Sequence, residues 1–368
     1  KLEKQQASMA AAISKQALNG ATLDVVWNLT LAANIISANV QYGQIEKIKE
    51  VAGVQEVILE NRYEPCVVKQ EETADPNMAT SDKMIGSSAA WAAGYTGAGS
   101  RIAIIDTGAD VDHPSLDPDA LKYALQGSNA TIMTEADLTD EVLNQLNAYT
   151  RKAGLTAADF YVNEKIPFGF NYVDADTDIT HDNDTQGDHG SHVAGIATAN
   201  RYVSDGKGGY EKALDSVFVQ GVAPDAQLIT MKVFGKRGGA YDSDYMVAIE
   251  DAMVLGADAA NLSLGGSFPG YSEYTEEKYR HILDEIVGSG MVVTISAGNS
   301  GSWFDQTAFG LPYAGSVNWA TNGSPGSYVN SLCVASVDNA GVTDNYLKVK
   351  GHNMTYTEKS YQNKPIYT

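Results

Sequence analysis

Four segments of the chain are nearly uninterrupted runs of apolar residues that end beside polar ones. They are residues 100–106, 227–234, 257–264 and 290–297. A strand that is buried on both faces of a parallel sheet has this pattern. Helical spacing lies between the runs, at Ser243–Leu255 and Tyr274–Ser289. The alternation predicts an α/β domain around a central parallel sheet, which binds ligands beyond the carboxyl ends of its strands.

The first 65 residues carry a separate set of shorter patterns. Gln5–Leu18 has helical spacing, Ile35–Tyr42 alternates as a strand does, Gln44–Val51 has one apolar helical face, and Val54–Asn61 reads as a further strand. These elements predict a small α+β unit, which we call the N-terminal unit.

The composition changes after the N-terminal unit. Residues 66–84 are rich in Glu, Asp, Pro, Thr and Ser and lose all periodicity, which indicates a linker. We therefore expect a larger domain over residues 85–368. Within it, residues 120–168 are polar with weak helical signals such as Leu138–Leu146, and we predict a surface insertion there.

Charge and cysteine content exclude several classes of function. The chain has 46 acidic and 25 basic residues and a net charge of −21, so a nucleic-acid partner is not expected. Its two cysteines, Cys66 and Cys333, are too few for a disulfide framework and lack the spaced histidines of a zinc site. No apolar run reaches the about 18 residues that a membrane span needs.

Two motifs carry residues suited to proton transfer. Asp106 ends a buried run in Ile-Ile-Asp-Thr-Gly, where a carboxylate could cap a helix, hold a loop or orient another side chain. His189 lies in Asp-His-Gly-Ser-His-Val-Ala-Gly. His189 and His192 lack the spacing and the glutamate of a His-Glu-x-x-His zinc site. An imidazole that a carboxylate orients can instead take a proton from a hydroxyl group, and Asp106 is the candidate for that carboxylate.

Two further motifs follow predicted strands. Asn299, in Ser-Ala-Gly-Asn-Ser-Gly, could cap a turn or donate its side-chain N–H to a developing oxyanion. Residues 261–266, Asn-Leu-Ser-Leu-Gly-Gly, expose backbone on which an extended peptide could lie as an added strand.

Together these motifs resemble the subtilase family over about residues 80–340. The resemblance rests on the four motifs above and on Gly-Val-Ala-Pro at 221–224, all in the family's order. It implies a three-layer subtilisin-like fold and a serine endopeptidase that acts through an acyl-enzyme. In that mechanism Asp106 orients the imidazole, His189 is the general base and then the acid, and Asn299 lies in the oxyanion hole. The implied substrate-binding residues are Gly238, Ser263, Leu264, Gly265, Ala297 and Gly298.

The N-terminal unit resembles the subtilase propeptide, a small ferredoxin-like inhibitor and folding chaperone. The resemblance implies that the tail, residues 61–79, lies in the active-site cleft and contains the maturation site. The long Asp106–His189 spacing and the segment Gly169–Asp174 are similar to bacterial cell-envelope proteinases of the lactocepin and C5a-peptidase type. We therefore expect a secreted or envelope-associated bacterial precursor that acts on proteins and peptides.

The chain departs from the family at the nucleophile. It contains neither Gly-Thr-Ser-Met-Ala nor Gly-x-Ser-x-Gly, and Ser336 falls in the strand region after Asn299, too early for the nucleophile. We expect the propeptide to be incomplete at its amino end and the serine to lie beyond residue 368, in the remaining part of the same polypeptide. The fragment should then be inactive alone. The alternative is a non-catalytic subtilase-fold protein that binds peptides.

No cofactor is required by these motifs, and no metal site is predicted. The family places an acid after His113-Pro114, where this chain has Ser115. The acidic run between Asp174 and Asp184 lacks the glycine and the closing glutamate of an EF-hand, so a solvated loop is expected. Structural calcium stays possible without being indicated.

Overall fold

The computed structural model describes residues 1–65, 81–236, 238–266, 282, 284–286, 288–299, 322–328, 331–337, 346–355, 358–361 and 364–367. Most of the predicted linker, with Cys66, lies outside the described residues, as does most of the predicted helix Tyr274–Ser289. Among the described helices, none combines the length and the apolar character that crossing a membrane requires.

The helices and strands of the described residues alternate along most of the chain. The helices are Leu2–Gln16 (α1), Ile45–Lys49 (α2), Ser81–Met84 (α3), Ser87–Ala92 (α4), Pro118–Ala124 (α5), Asp140–Leu143 (α6), Asn147–Arg151 (α7), Ala157–Phe160 (α8), His189–Thr198 (α9), Ala213–Ser216 (α10) and Asp242–Val254 (α11). The strands are Asp24–Leu29 (β1), Ile35–Asn39 (β2), Arg62–Pro65 (β3), Arg101–Asp106 (β4), Phe168–Asn171 (β5), Tyr202–Ser204 (β6), Tyr210–Lys212 (β7), Gln227–Lys232 (β8), Ala240–Tyr241 (β9), Ala259–Leu262 (β10), Leu264–Gly265 (β11), Val292–Ser296 (β12), Leu332–Val334 (β13), Tyr346–Val349 (β14), His352–Thr355 (β15), Glu358–Tyr361 (β16) and Lys364–Tyr367 (β17).

A six-stranded sheet forms the centre of the larger domain, in the order β13-β12-β10-β4-β8-β5. Every neighbouring pair in it is parallel. Ile105 of β4 joins the main core on one face of the sheet, while Ile104 packs with Ala194 of α9 on the other. The strand is therefore buried on both faces, and the predicted α/β fold with a parallel sheet is confirmed.

The N-terminal unit has its own small core. The helix α1 and the antiparallel pair β1–β2 contribute to it, with Val25 opposite Ala38. The strand predicted over residues 54–61 is wrong, because this segment pairs with no strand. Only Val54 and Val57, three residues apart, pack on the core, while Leu59 is exposed, so the segment lacks the two-residue period of a strand.

The predicted surface insertion is also wrong in one respect. Residues 120–168 form the short helices α5–α8, and Leu121, Leu143 and Phe160 within them are fully or almost fully buried. The predicted helix Leu138–Leu146 shrinks to the four residues of α6. Each short segment supplies one or two apolar residues to the interior, which is too few to produce a readable period.

Candidate active site

Asp106 and His189 meet at the carboxyl edge of the central sheet. Asp106 is the last residue of β4 and is 1% exposed, while His189 is the first residue of α9. Nδ1 of His189 lies 2.8 Å from Oδ1 of Asp106, which also accepts the backbone N–H of Thr107 at 2.7 Å. If Nδ1–H donates to the carboxylate, a neutral imidazole would present Nε2 as its proton acceptor. We call the two residues the candidate dyad.

The small residues of the two motifs allow their backbones to touch. A Cβ atom on Gly190 would lie 2.1 Å from the carbonyl oxygen of Gly108, so a side chain there would force the motifs apart. Two hydrogen bonds hold the contact: Gly190 N–H donates to Thr107 Oγ1 at 2.8 Å, and Asp110 N–H donates to Ser191 Oγ at 2.7 Å. The sequence around each dyad residue thus fixes the distance between them.

A buried ion pair lies directly behind the candidate dyad. Nζ of Lys232, at the end of β8, lies 2.6 Å from Oδ2 of Asp184 and also donates to the carbonyl oxygen of Thr107. Both side chains of the pair are 2% exposed, so the expectation of a solvated acidic loop is wrong for Asp184. Further along the same loop, Lys236 lies 3.7 Å from Asp178 in a far more exposed pair. Lys232 therefore ties the acidic run to the end of β8, and the exposed Lys236 adds a weaker contact in the loop that follows.

The described residues do not bring three or more histidine, cysteine, aspartate or glutamate side chains into an arrangement that could hold a metal ion. Neither the acidic run nor the His113 region forms such a group within the part of the chain that the structure describes.

A strand of the N-terminal unit lies between two short strands of the larger domain. The strand β3 pairs antiparallel with β11 on one side and with β9 on the other. Leu264 lies opposite Pro65, and Ala240 lies opposite Tyr63. A Cβ atom on Gly239 would lie 2.1 Å from the carbonyl oxygen of Tyr63, so this glycine lets the strands approach. The groove between β9 and β11 thus holds an extended peptide by backbone pairing on both sides.

The predicted substrate-binding residues near β10 border this groove. Ser263 follows β10 directly, and Leu264 and Gly265 are the two residues of β11. The carbonyl oxygen of Leu264 accepts the hydroxyl of Ser296, the last residue of β12, at 3.2 Å. Gly238 faces the side chain of Arg62 in the seated strand. These four predicted positions therefore contact or adjoin the bound segment.

The other predicted residues follow β12, two strands away from β4. Ala297 donates its N–H to the carbonyl oxygen of Val334 at 2.8 Å, and Gly298 and Asn299 come next, both exposed. Ser336 is exposed two residues beyond β13, on the outer side of β12. Asn299 thus lies at the same edge of the sheet as the candidate dyad.

The model of the Subtilase family matches residues 97–366 of the chain. The chain belongs to the subtilase family. It is 32% identical over 317 residues to the PI-type proteinase of Lactococcus lactis subsp. cremoris, which covers 84% of the chain and 14% of that protein. It is 28% identical over 321 residues to the minor extracellular protease Vpr of Bacillus subtilis strain 168, covering 83% of the chain and 30% of Vpr.

A third relative is the C5a peptidase of Streptococcus pyogenes serotype M6, which is 30% identical over 242 residues, or 65% of the chain and 18% of that protein. The predicted resemblance to the subtilases and to their cell-envelope proteinases is confirmed. The subtilase chain described here spans 14% of the length of the lactococcal relatives that it matches.

The N-terminal unit of this subtilase docks on α11 through buried polar contacts. The indole N–H of Trp27 donates to Oδ1 of Asp244 at 2.8 Å, and the backbone N–H of Ala32 donates to Oε1 of Glu250 at 2.7 Å. Burial raises the pKa of Asp244 to about 6, although hydrogen bonds from Tyr241 and Trp27 oppose that shift. Burial also raises the pKa of Glu250. Docking therefore places carboxylates of the larger domain in a poorly solvated interface.

Two features of the site escaped the sequence analysis. Lys232 ends β8 within the predicted buried run 227–234, and a charged residue in such a run signals a buried partner without identifying it. Gly239 stands beside the predicted Gly238, and the approach of the Tyr63 carbonyl oxygen, which excludes a side chain at Gly239, leaves no mark in the sequence around it. Both features depend on which distant segment packs against them.

Proposed function

We propose that the full-length gene product is the secreted precursor of a subtilisin-type serine endopeptidase that acts on proteins and peptides. One observation carries the proposal. The 2.8 Å contact between Asp106 and His189 lies at the carboxyl edge of the central sheet, and next to that edge the extended strand β3 pairs with β11 on one side and β9 on the other. Membership of the subtilase family supports it, and so do relatives that are named as proteinases.

The roles of the residues follow from their chemistry. A serine hydroxyl attacks the scissile carbonyl carbon and passes its proton to Nε2 of His189, while Asp106 holds the Nδ1–H and stabilises the imidazolium. The side chain of Asn299 donates to the oxyanion. His189 then gives the proton to the leaving amine, and water releases the acyl group by the same route. None of the family's serine motifs occurs in the 368 residues, so the serine comes from another segment of the protein.

The N-terminal unit acts in this proposal as the inhibitor that precedes maturation. The strand β3 fills the groove that a substrate would use, and Trp27 anchors the unit to α11. The same proposal places the protein outside the cell or in the cell envelope of a bacterium, in keeping with the extracellular protease named among its relatives. After the tail is cut, the unit must leave before a substrate can enter.

A fluorophosphonate probe, which reacts with an activated serine, tests the proposal on the full-length gene product. We expect rapid labelling of the mature protein and a loss of about a thousandfold or more in His189→Ala. The matched control is His192→Ala, because His192 is exposed on the same helix and three residues away, and its labelling rate should stay within about twofold.

Equal labelling of His189→Ala and the unaltered protein would contradict the role of His189. If the mature protein is not labelled at all, yet binds the peptide Asn-Arg-Tyr-Glu-Pro of residues 61–65, the non-catalytic peptide-binding alternative is correct.

A further inference from the structure

Tyr63 of the seated strand fills an enclosed pocket of the larger domain. It is 2% exposed although it belongs to a segment that only lies in a groove. Its ring meets the ring of Tyr245 edge to face, with the centroids 5.4 Å apart. Gly266 borders the ring on another side, where an added Cβ atom would be 3.8 Å from the ring. The pocket therefore accepts a whole aromatic side chain.

The phenol of Tyr63 reaches a carboxylate at the end of this pocket. Its hydroxyl donates to Oδ1 of Asp242 at 2.9 Å, and the hydroxyl of Tyr245 donates to the same oxygen at 2.7 Å. The other oxygen, Oδ2, accepts the backbone N–H and the side-chain amide of Asn61, at 2.6 and 3.1 Å. Asp242 is 6% exposed, so the seated segment supplies hydrogen bonds that water would otherwise supply.

We propose that Asp242 makes this protein select peptides with tyrosine, in preference to phenylalanine, at the position that lies opposite Ala240. The inference rests on the proposed function and names the substrate class of the same groove. Phenylalanine would fill the apolar part of the pocket equally well. It would also shield Asp242 from water without offering Oδ1 the donor that tyrosine offers, and a buried acceptor that loses a donor weakens binding.

The size of the preference follows from the charge of the acceptor. A hydrogen bond to a charged group stabilises a complex enough to change its binding constant by about tenfold or more. Because Tyr245 still donates to Oδ1 when tyrosine is missing, we expect the lower end of that range, about tenfold. Aliphatic side chains lose the ring contact as well and should be poorer still.

The kinetic test uses the mature form of the full-length protein and two peptides. Both contain Asn-Arg-Xaa-Glu-Pro before an identical reporter segment, with tyrosine or phenylalanine at Xaa. We expect kcat/KM to be about tenfold higher for tyrosine. Asp242→Ala should remove most of this ratio and leave only what the contact of the phenol with Tyr328 contributes, whereas the isosteric Asp242→Asn, which keeps an acceptor oxygen, should retain more of it. The matched control, Asp244→Asn, should keep the full ratio, because Asp244 binds Trp27 and not Tyr63.

A second measurement needs no hydrolysis by the protein itself. In the uncleaved chain, trypsin can cut after Arg62 only when β3 leaves its groove, so the cleavage rate reports how often the strand opens. Tyr63→Phe should accelerate this cleavage about tenfold in the unaltered protein and by less than twofold in the Asp242→Ala background.

The two measurements separate the inference from the proposed function. Equal kcat/KM for both peptides would overturn the selection of tyrosine and leave the endopeptidase intact. If the protein hydrolyses neither peptide, the proposed function fails, and the trypsin experiment decides whether Asp242 recognises tyrosine in a binding groove.

Discussion

Replacing Lys232 by methionine should destabilise the protein far more than the same replacement of Lys236. Both lysines bind acidic residues of one loop, which makes them a matched pair. Nζ of Lys232 lies 2.6 Å from Asp184, with both side chains 2% exposed. Lys236 lies 3.7 Å from Asp178, with side chains 51% and 29% exposed. The two pairs thus differ mainly in burial and distance.

The expected magnitudes follow from that difference. Removing one partner of a buried pair leaves an uncompensated charge and costs about 3–5 kcal/mol of the free energy of unfolding. An exposed pair contributes about 1 kcal/mol or less. Lys232→Met also removes a donor from the carbonyl oxygen of Thr107, next to Asp106, so the lower end of the range is a minimum.

Calorimetric melting and urea unfolding measure the effect. The larger domain spans residues 85–368, so at about 2.1 cal/mol/K of unfolding entropy per residue about 1 kcal/mol shifts its Tm by about 1.7 °C. Lys232→Met should therefore lower Tm by at least about 5 °C and Lys236→Met by less than about 2 °C. In the double variant Lys232→Met/Asp184→Asn no unpaired charge stays buried. The double variant should therefore lose less unfolding free energy than the two single variants together, by about 2 kcal/mol or more. Equal Tm values for the two lysine variants, or additive losses in the cycle, would refute the reasoning.

Three further predictions concern single positions. Gly190→Ala should abolish probe labelling of the full-length protein, because its methyl group would lie 2.1 Å from a backbone oxygen of the other motif; unchanged labelling would contradict this steric account. Trp27→Phe removes the donor to Asp244, and the hydrogen-exchange protection of the Ala32 amide, which bonds across the interface, should fall about tenfold. The same protection should rise between pH 7.5 and pH 5, by about tenfold if the pKa of Asp244 returns to its ordinary value on undocking. The reason is that burial raises this pKa to about 6 in the docked structure, so the docked state takes up a proton that an exposed carboxyl does not. In Asp244→Asn the rise should be smaller, and what is left reports Glu250, whose pKa burial also raises.

The fold and the candidate dyad could be predicted because their signals are local. The apolar composition of β4 is enough to predict a strand that is buried on both faces. The glycines after Asp106 and His189 indicate that the backbones of the two motifs lie in close contact. Lys232 and Asp184 were missed as a pair because they lie 48 residues apart, and nothing in either segment identifies the other. The strand β1 was missed because Trp27 packs in the main core, so its burial depends on the larger domain.

The contacts that hold the dyad and those that fill the groove come from different parts of the chain. This separation determines how the N-terminal unit would inhibit the proposed protease. Thr107, Gly190 and Lys232, which hold the dyad region together, all belong to the larger domain. The N-terminal unit instead supplies the strand β3 and the anchor Trp27. Under the proposed function, inhibition would work by filling the groove and not by distorting the dyad, because the 2.8 Å contact of the dyad is formed while β3 is seated. Departure of the unit would then leave Asp106 and His189 already in place.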